Sequence, residues 1–111
     1  MMLNERPASG LSYDARTDIA TVAIAQGAPT TFRTRQIEGA LLLDAQGFLV
    51  GLDLRDDQGR GVVVMLGPHE AVDGTQAHPL ALHTDAAGEV TAVTFSGAKN
   101  AIRAAEKNPY R

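Results

Sequence analysis

The chain has no cysteine and no tryptophan. That excludes disulfides, thiolate metal sites and thiol nucleophiles. Aromatic residues make up only 5% of the chain and do not interleave with basic ones, so the stacking platforms that hold single-stranded nucleic acid are not expected. Charge of one sign is also scarce. Ten basic and thirteen acidic residues leave a net charge of -3, with no electrostatic footprint for a polyanion, and we expect no nucleic-acid partner. No apolar run approaches the roughly 20 residues needed to span a bilayer as a helix. The first ten residues, MMLNERPASG, lack the basic and apolar regions of a secretory signal. A bacterial-type cytoplasmic protein without membrane contact is the expectation.

What is present is an ordinary globular balance, 44% apolar in 111 residues. A chain of that length buries roughly two-thirds of its unfolded surface around one core. Residues 1–9 read as a flexible N-terminus and residues 10–111 as a single domain.

Three segments align without a gap: DARTDIATVAI (14–24), DAQGFLVGLDL (44–54) and DAAGEVTAVTF (85–95). Each opens with Asp-Ala, has an aliphatic residue in sixth place, and has apolar residues in ninth and eleventh place. Asp suits the start of a type I turn because its carboxylate accepts from backbone N–H groups ahead of it. Gly47 and Gly88 suit the left-handed residue that closes a hairpin loop. Thr17, β-branched, does not, so the first turn is expected to be longer and to close at Asp18.

Parity adds a second inference. Ile19, Leu49 and Val90 are out of phase with the apolar pairs that follow them, as if each strand changed face. Either both faces are covered near the turn, or a bulge shifts the register, and the bulge is favoured by Gly51 and Ala92 at matching places. Residues 56–59 form another turn, and the apolar run 61–66 reads as a strand covered on both sides. The expected fold is all-β: about seven mainly antiparallel strands in sequence order, built from three related hairpins as a sandwich or partly closed barrel. One C-terminal helix is expected at about 97–107, with Ser96 as its cap and Pro109 beyond its end. Its narrow stripe of Ala98, Ala101, Ile102 and Ala105 permits close approach to the sheet or to a second copy.

Residues 11–55 carry Tyr13-Asp14, Asp18, Glu38-Gly39, the run Leu41-Leu42-Leu43-Asp44, and the strand from Gly47 through Leu49, Val50 and Gly51 to Asp53 and Leu54. This pattern resembles domain of unknown function 2283, a family of small β-sheet proteins. The likeness departs where Asp53 stands for the usual Glu, and where a third hairpin and a helix follow. It implies a β-sheet fold and carries no catalytic residues.

Chemistry concentrates in residues 67–85, which hold His69, His78 and His83 with Glu70, Asp73 and Asp85. With Gly67 to Pro79 read as a long connection, His69, His78, His83 and Glu70 are the candidate ligands for a divalent transition metal, should the fold bring them together. Their spacing fits no established zinc motif. No serine lies in a nucleophile elbow, and Asp56-Asp57 suffices as a turn. Asp53, within an apolar strand, would have a raised pKa if buried, though an exposed strand face is the commoner place for it. Arg33 and Arg35, two apart on a strand, share a face that is either solvated or a partner contact. The function these features favour is a non-enzymatic protein-protein interaction or structural module, self-associating as a homo-oligomer through its open edges. A small metal- or ligand-binding protein, conceivably an enzyme, and an antitoxin-like regulatory partner are the alternatives.

Overall fold

A computed structural model describes residues 5–24, 31–56, 58–103 and 107–110. Among these, eight strands form one sheet: β1 (Glu5–Pro7), β2 (Gly10–Asp14), β3 (Ile19–Ala23), β4 (Arg33–Leu43), β5 (Leu49–Asp53), β6 (Val63–Met65), β7 (Gly74–Thr84) and β8 (Val90–Ser96). Their spatial order is β1-β6-β5-β4-β7-β8-β3-β2. The fold is all-β, as expected, but it does not follow sequence order. After the β4-β5-β6 meander, β7 returns to lie along all eleven residues of β4, and β8 then joins β3.

The sheet curls into a half-barrel, which decides between sandwich and barrel. Its two outermost strands, β1 and β2, are consecutive in the chain. Between them, the Ala8 N–H donates to Met65 O at 2.9 Å and the Ser9 N–H to Ala23 O at 2.7 Å. One short segment therefore stitches the two edges together. The expected flexible N-terminus is corrected from Glu5 onward, where the chain pairs in parallel with β6.

The three expected hairpins form, with differences the side chains explain. Asp44 Oδ1 accepts from the N–H groups of Gln46 and Phe48, both at 2.9 Å, and Gly47 takes φ 91°. Asp85 repeats this with Ala87, Glu89 and Gly88 at φ 86°. So does Asp56 with Gln58, Arg60 and Gly59 at φ 80°. The turn at Asp14 is the exception, and there Asp18 adopts φ 56° as the sequence requires. Register shifts leave Val50 and Thr91 as bulge residues in the second and third hairpins. The first hairpin has no shift: Ile19 pairs with Asp14 in step with the rest of β3, so its parity reflects placement on the outer face.

The barrel interior collects Leu11, Val22, Leu41, Leu52, Val64, Leu80, Val93 and Phe95, all buried in one cluster. Residues 98–103 and 107–110 close one end of it. The expected helix 97–107 is confined to α1 (Ala98–Ala101), with residues 104–106 outside the described set. Ser96 does not cap it. Asp18 does: its Oδ1 accepts the Lys99 N–H at 2.8 Å and the Tyr13 hydroxyl at 2.7 Å. Ala98 and Ile102 sink into the core. Beyond them, buried Asn108 donates from Nδ2 to Leu49 O at 2.9 Å, and the Tyr110 hydroxyl donates to Asp44 Oδ2 at 2.9 Å. Tyr110 packs so closely on Gly67 that a Cβ there would lie 2.4 Å from its ring.

These anchors make stability acid-sensitive. The Tyr13 hydroxyl and the Lys99 N–H hold the Asp18 carboxyl below its ordinary value of 3.8. At Asp44, burial opposes ionisation, but the N–H groups of Phe48, Gln46 and Gly47 and the Tyr110 hydroxyl outweigh it and lower the pKa. A carboxyl whose pKa is lower folded than unfolded contributes fully above the unfolded value and loses that contribution as pH falls through the folded one. Thermal melts should therefore drop as pH falls below about 4. The Asp18→Asn/Asp44→Asn variant should show a shallower drop, and an unchanged acid slope would contradict this account.

Candidate functional site

The end of the barrel opposite α1 is open, and its shape follows from how β4 is paired. The run from Arg33 to Leu43 holds few strand formers of its own, Thr34 and Ile37 among them, and is held extended by pairing with β7 throughout. On its other side, β5 pairs only with residues 40 to 43. The two strands stay close up to Gly39 and part just beyond it. Gly39 lets them come close, since a Cβ there would lie 2.8 Å from Asp53 O. Just beyond, Arg55 grips Asp53 with Nε to Oδ1 at 3.0 Å and Nη2 to Oδ2 at 2.8 Å, and its own N–H joins Oδ1 at 3.0 Å. This fork turns the chain away from β4 into the Asp56 turn. Among the described residues, no strand borders the other side of residues 33 to 39.

The gap is a cavity of about 530 Å³. Arg35, Ile37 and Glu38 form one bank, residues 54–56 and 60–62 the other, and Leu82 and Val90 also line it. A second cavity of about 440 Å³ adjoins it, sharing Arg35, Leu82 and Val90 and adding Arg33, Thr34, Thr84 and Gly88. Alternation explains the lining. Odd-numbered residues of β4 face inward, as buried Leu41 shows, so Arg33, Arg35 and Ile37 project on the same side, opposite Thr84, Leu82 and Leu80 of β7.

The electrostatics are uneven. Arg55 is committed to Asp53, and Arg60 to Asp56 at 3.0 Å. Asp53 is neither on an open face nor buried without a partner: the Arg55 guanidinium outweighs partial burial and holds its carboxyl below the usual carboxylate range. Arg35 has no ion-pair partner among the described residues, and Arg33 lies 5.9 Å from the ring centroid of Phe32. Phe32, 62% exposed, is a large hydrophobic side chain left outside the fold beside Arg33. Such a combination of aromatic, arginine and apolar hollow is typical of the anchor points of protein interfaces.

The histidines do not converge. The expected loop 67–79 is a single 3-10 turn (His69–Ala71) followed by β7. His78 and His83 are five apart on that strand and so face opposite sides. The inward His78 Nε2 donates to Ser96 O at 2.8 Å and meets the edge of Phe95. His83, on the outer face, sits between the hydroxyls of Thr34 and Thr94 at 3.1 and 2.9 Å. His69 pairs with Glu5, and Glu70 is exposed. No group of three or more His, Asp or Glu side chains able to hold a metal ion occurs among the described residues. The helical stripe is likewise spent: Ala98 and Ile102 are buried, Ala101 packs on the core, and Ala105 lies outside the described residues.

Arg33 and Arg35 were legible as a same-face pair, whereas Phe32, Leu54, Val62 and the unpaired half of β4 were not. The alternation in RTRQIEG was the available signal for a strand starting at residue 33. Comparison with protein-family models, with curated proteins and with solved structures finds no match, so the functional reading rests on this geometry.

Proposed function

We propose that the protein is a non-enzymatic protein-protein interaction module that receives a partner at the open mouth of the barrel. The observation that carries this reading is the half-paired β4, whose residues 33 to 39 have a strand neighbour on one side only among the described residues. An unpaired stretch of backbone is a template for another chain. Here it stands beside an apolar hollow lined by the uncommitted Arg35, and the exposed Phe32 directly precedes that stretch in the chain.

Selection of random linear peptides on the immobilised protein tests the reading. Enriched sequences should combine acidic and aliphatic residues, and the enrichment should disappear with the Arg33→Glu/Arg35→Glu variant, whose exposed positions leave the core untouched. Selection that converges on no sequence class, or that ignores both substitutions, would sink the idea.

A further inference from the structure

Resting on that reading, we propose that the partner binds as an added β-strand, antiparallel to β4, with acidic residues opposite Arg33 and Arg35 and an aliphatic residue opposite Ile37. In strand addition the main chain supplies the hydrogen bonds, and alternate side chains supply the specificity. The free half of β4 has both requirements in register. Its inward residues read Arg33, Arg35, Ile37, and its outward ones Thr34, Gln36, Glu38. An arriving strand on the line that β5 leaves at Asp53 continues the antiparallel order of the sheet. Residues directly opposite on one face interact, and opposite charges there are favourable. The partner's inward set, read in its own direction, is therefore aliphatic, acidic, acidic at alternate positions. Arg55 and Arg60 stay with Asp53 and Asp56, and Glu38 belongs to the outward set, so on the inward face the two β4 arginines decide the sign.

The same charges argue against a second copy of this chain on this edge. In a twofold antiparallel pairing centred on residues 33 to 39, Arg35 of one copy falls opposite or diagonal to Arg35 of the other. Like charges so placed repel, and inward-pointing charges are a common guard against edge-to-edge association. A partner of opposite charge meets no such barrier.

The probe is the capped peptide Thr-Val-Thr-Glu-Thr-Glu-Thr, titrated into isotope-labelled full-length protein and followed by backbone amide shifts. Shifts should centre on residues 32 to 38 and on Leu54, Val62 and Leu82. The corresponding Lys peptide should bind about tenfold more weakly, since two exposed ion pairs are exchanged for repulsion. The Arg33→Glu/Arg35→Glu variant should reverse that preference, which also shows that it is folded. Two further peptides, N-methylated on alternate amides in either phase, identify the strand: one phase should abolish binding and the other preserve it. If both methylated peptides bind as well as the parent, strand addition is wrong while the interaction module stands. Equal binding of the Lys peptide overturns the acidic assignment. Concentration-dependent loss of the signals of residues 33 to 38 without peptide would overturn it in favour of self-pairing. If no peptide shifts the mouth and peptide selection also converges on nothing, the inference and the reading beneath it both fall.

Discussion

Truncating Leu41 to alanine should lower the unfolding free energy by about 3–4 kcal/mol, the range for a leucine removed from a core that cannot collapse around the space left. Leu41 is fully buried on the inward face of β4, and its cross-strand partner on β5 is Leu52, equally buried. Its other strand neighbour is Gln76 of β7, so no mobile loop stands ready to fill the hole. For a domain of this size the loss corresponds to a fall of roughly 15 °C in melting temperature. Leu42 is the informative control. It is also buried, but it belongs to the outer face, near Gly51 and outside the main cluster. Leu42→Ala should cost distinctly less, because it opens no cavity in the barrel interior. Urea unfolding of both variants would check this, and equal losses would mean that the inward and outward faces of β4 are wrongly assigned.

The second large effect is expected from adding a single methyl group. At Gly51, a Cβ would lie 2.5 Å from the backbone oxygen of Val64 and 2.9 Å from the sulfur of Met65. The methionine can swing aside, whereas the carbonyl cannot move without carrying β6 away from β5. Gly51→Ala should therefore destabilise by about 2–3 kcal/mol, as overpacking does when backbone has to shift. The damage should also be localised. β6 is three residues long, and its other neighbour is the equally short β1. Amide exchange should rise first in these two strands and in the Ala8–Met65 bond that closes the barrel edge. Gly10→Ala is the matched control, because nothing lies within 4 Å of the added atom. A Gly51→Ala protein as stable as the Gly10→Ala one would show that β5 and β6 do not approach as closely as described.

Gly51 also shows how far local sequence carries. Its place beside an out-of-phase apolar residue was enough to expect a bulge, and the register does shift at Val50. Turn chemistry was equally readable. Asp44, Asp56 and Asp85 each accept two backbone N–H groups ahead of them, and a glycine at positive φ follows three residues later. Even the departure at Thr17 led to Asp18 as the left-handed residue. Such features depend on residues within about five positions of one another, so a linear reading contains all of their parts. The helix forms, shorter than expected, but its cap was missed for the complementary reason. Its capping carboxylate comes from Asp18, 81 residues before Lys99, and no local signal specifies a cap at that distance.

By itself, then, the sequence determined an all-β chain, its hairpins and turns, the bulges, and the shared face of Arg33 and Arg35. Those follow from backbone sterics, side-chain alternation and short hydrogen-bonded loops, all of them local. Only the tertiary structure decided that β7 returns to β4, that Ala8 and Ser9 join the two edges of the sheet, and that the three histidines part company. It alone left half of β4 with a strand neighbour on one side only among the described residues. Strand order is chosen by the burial of whole faces and by the closure of the barrel, which sum over residues far apart in the chain. The arginine pair was visible from the start, but the empty place beside it exists only once β5 has turned away.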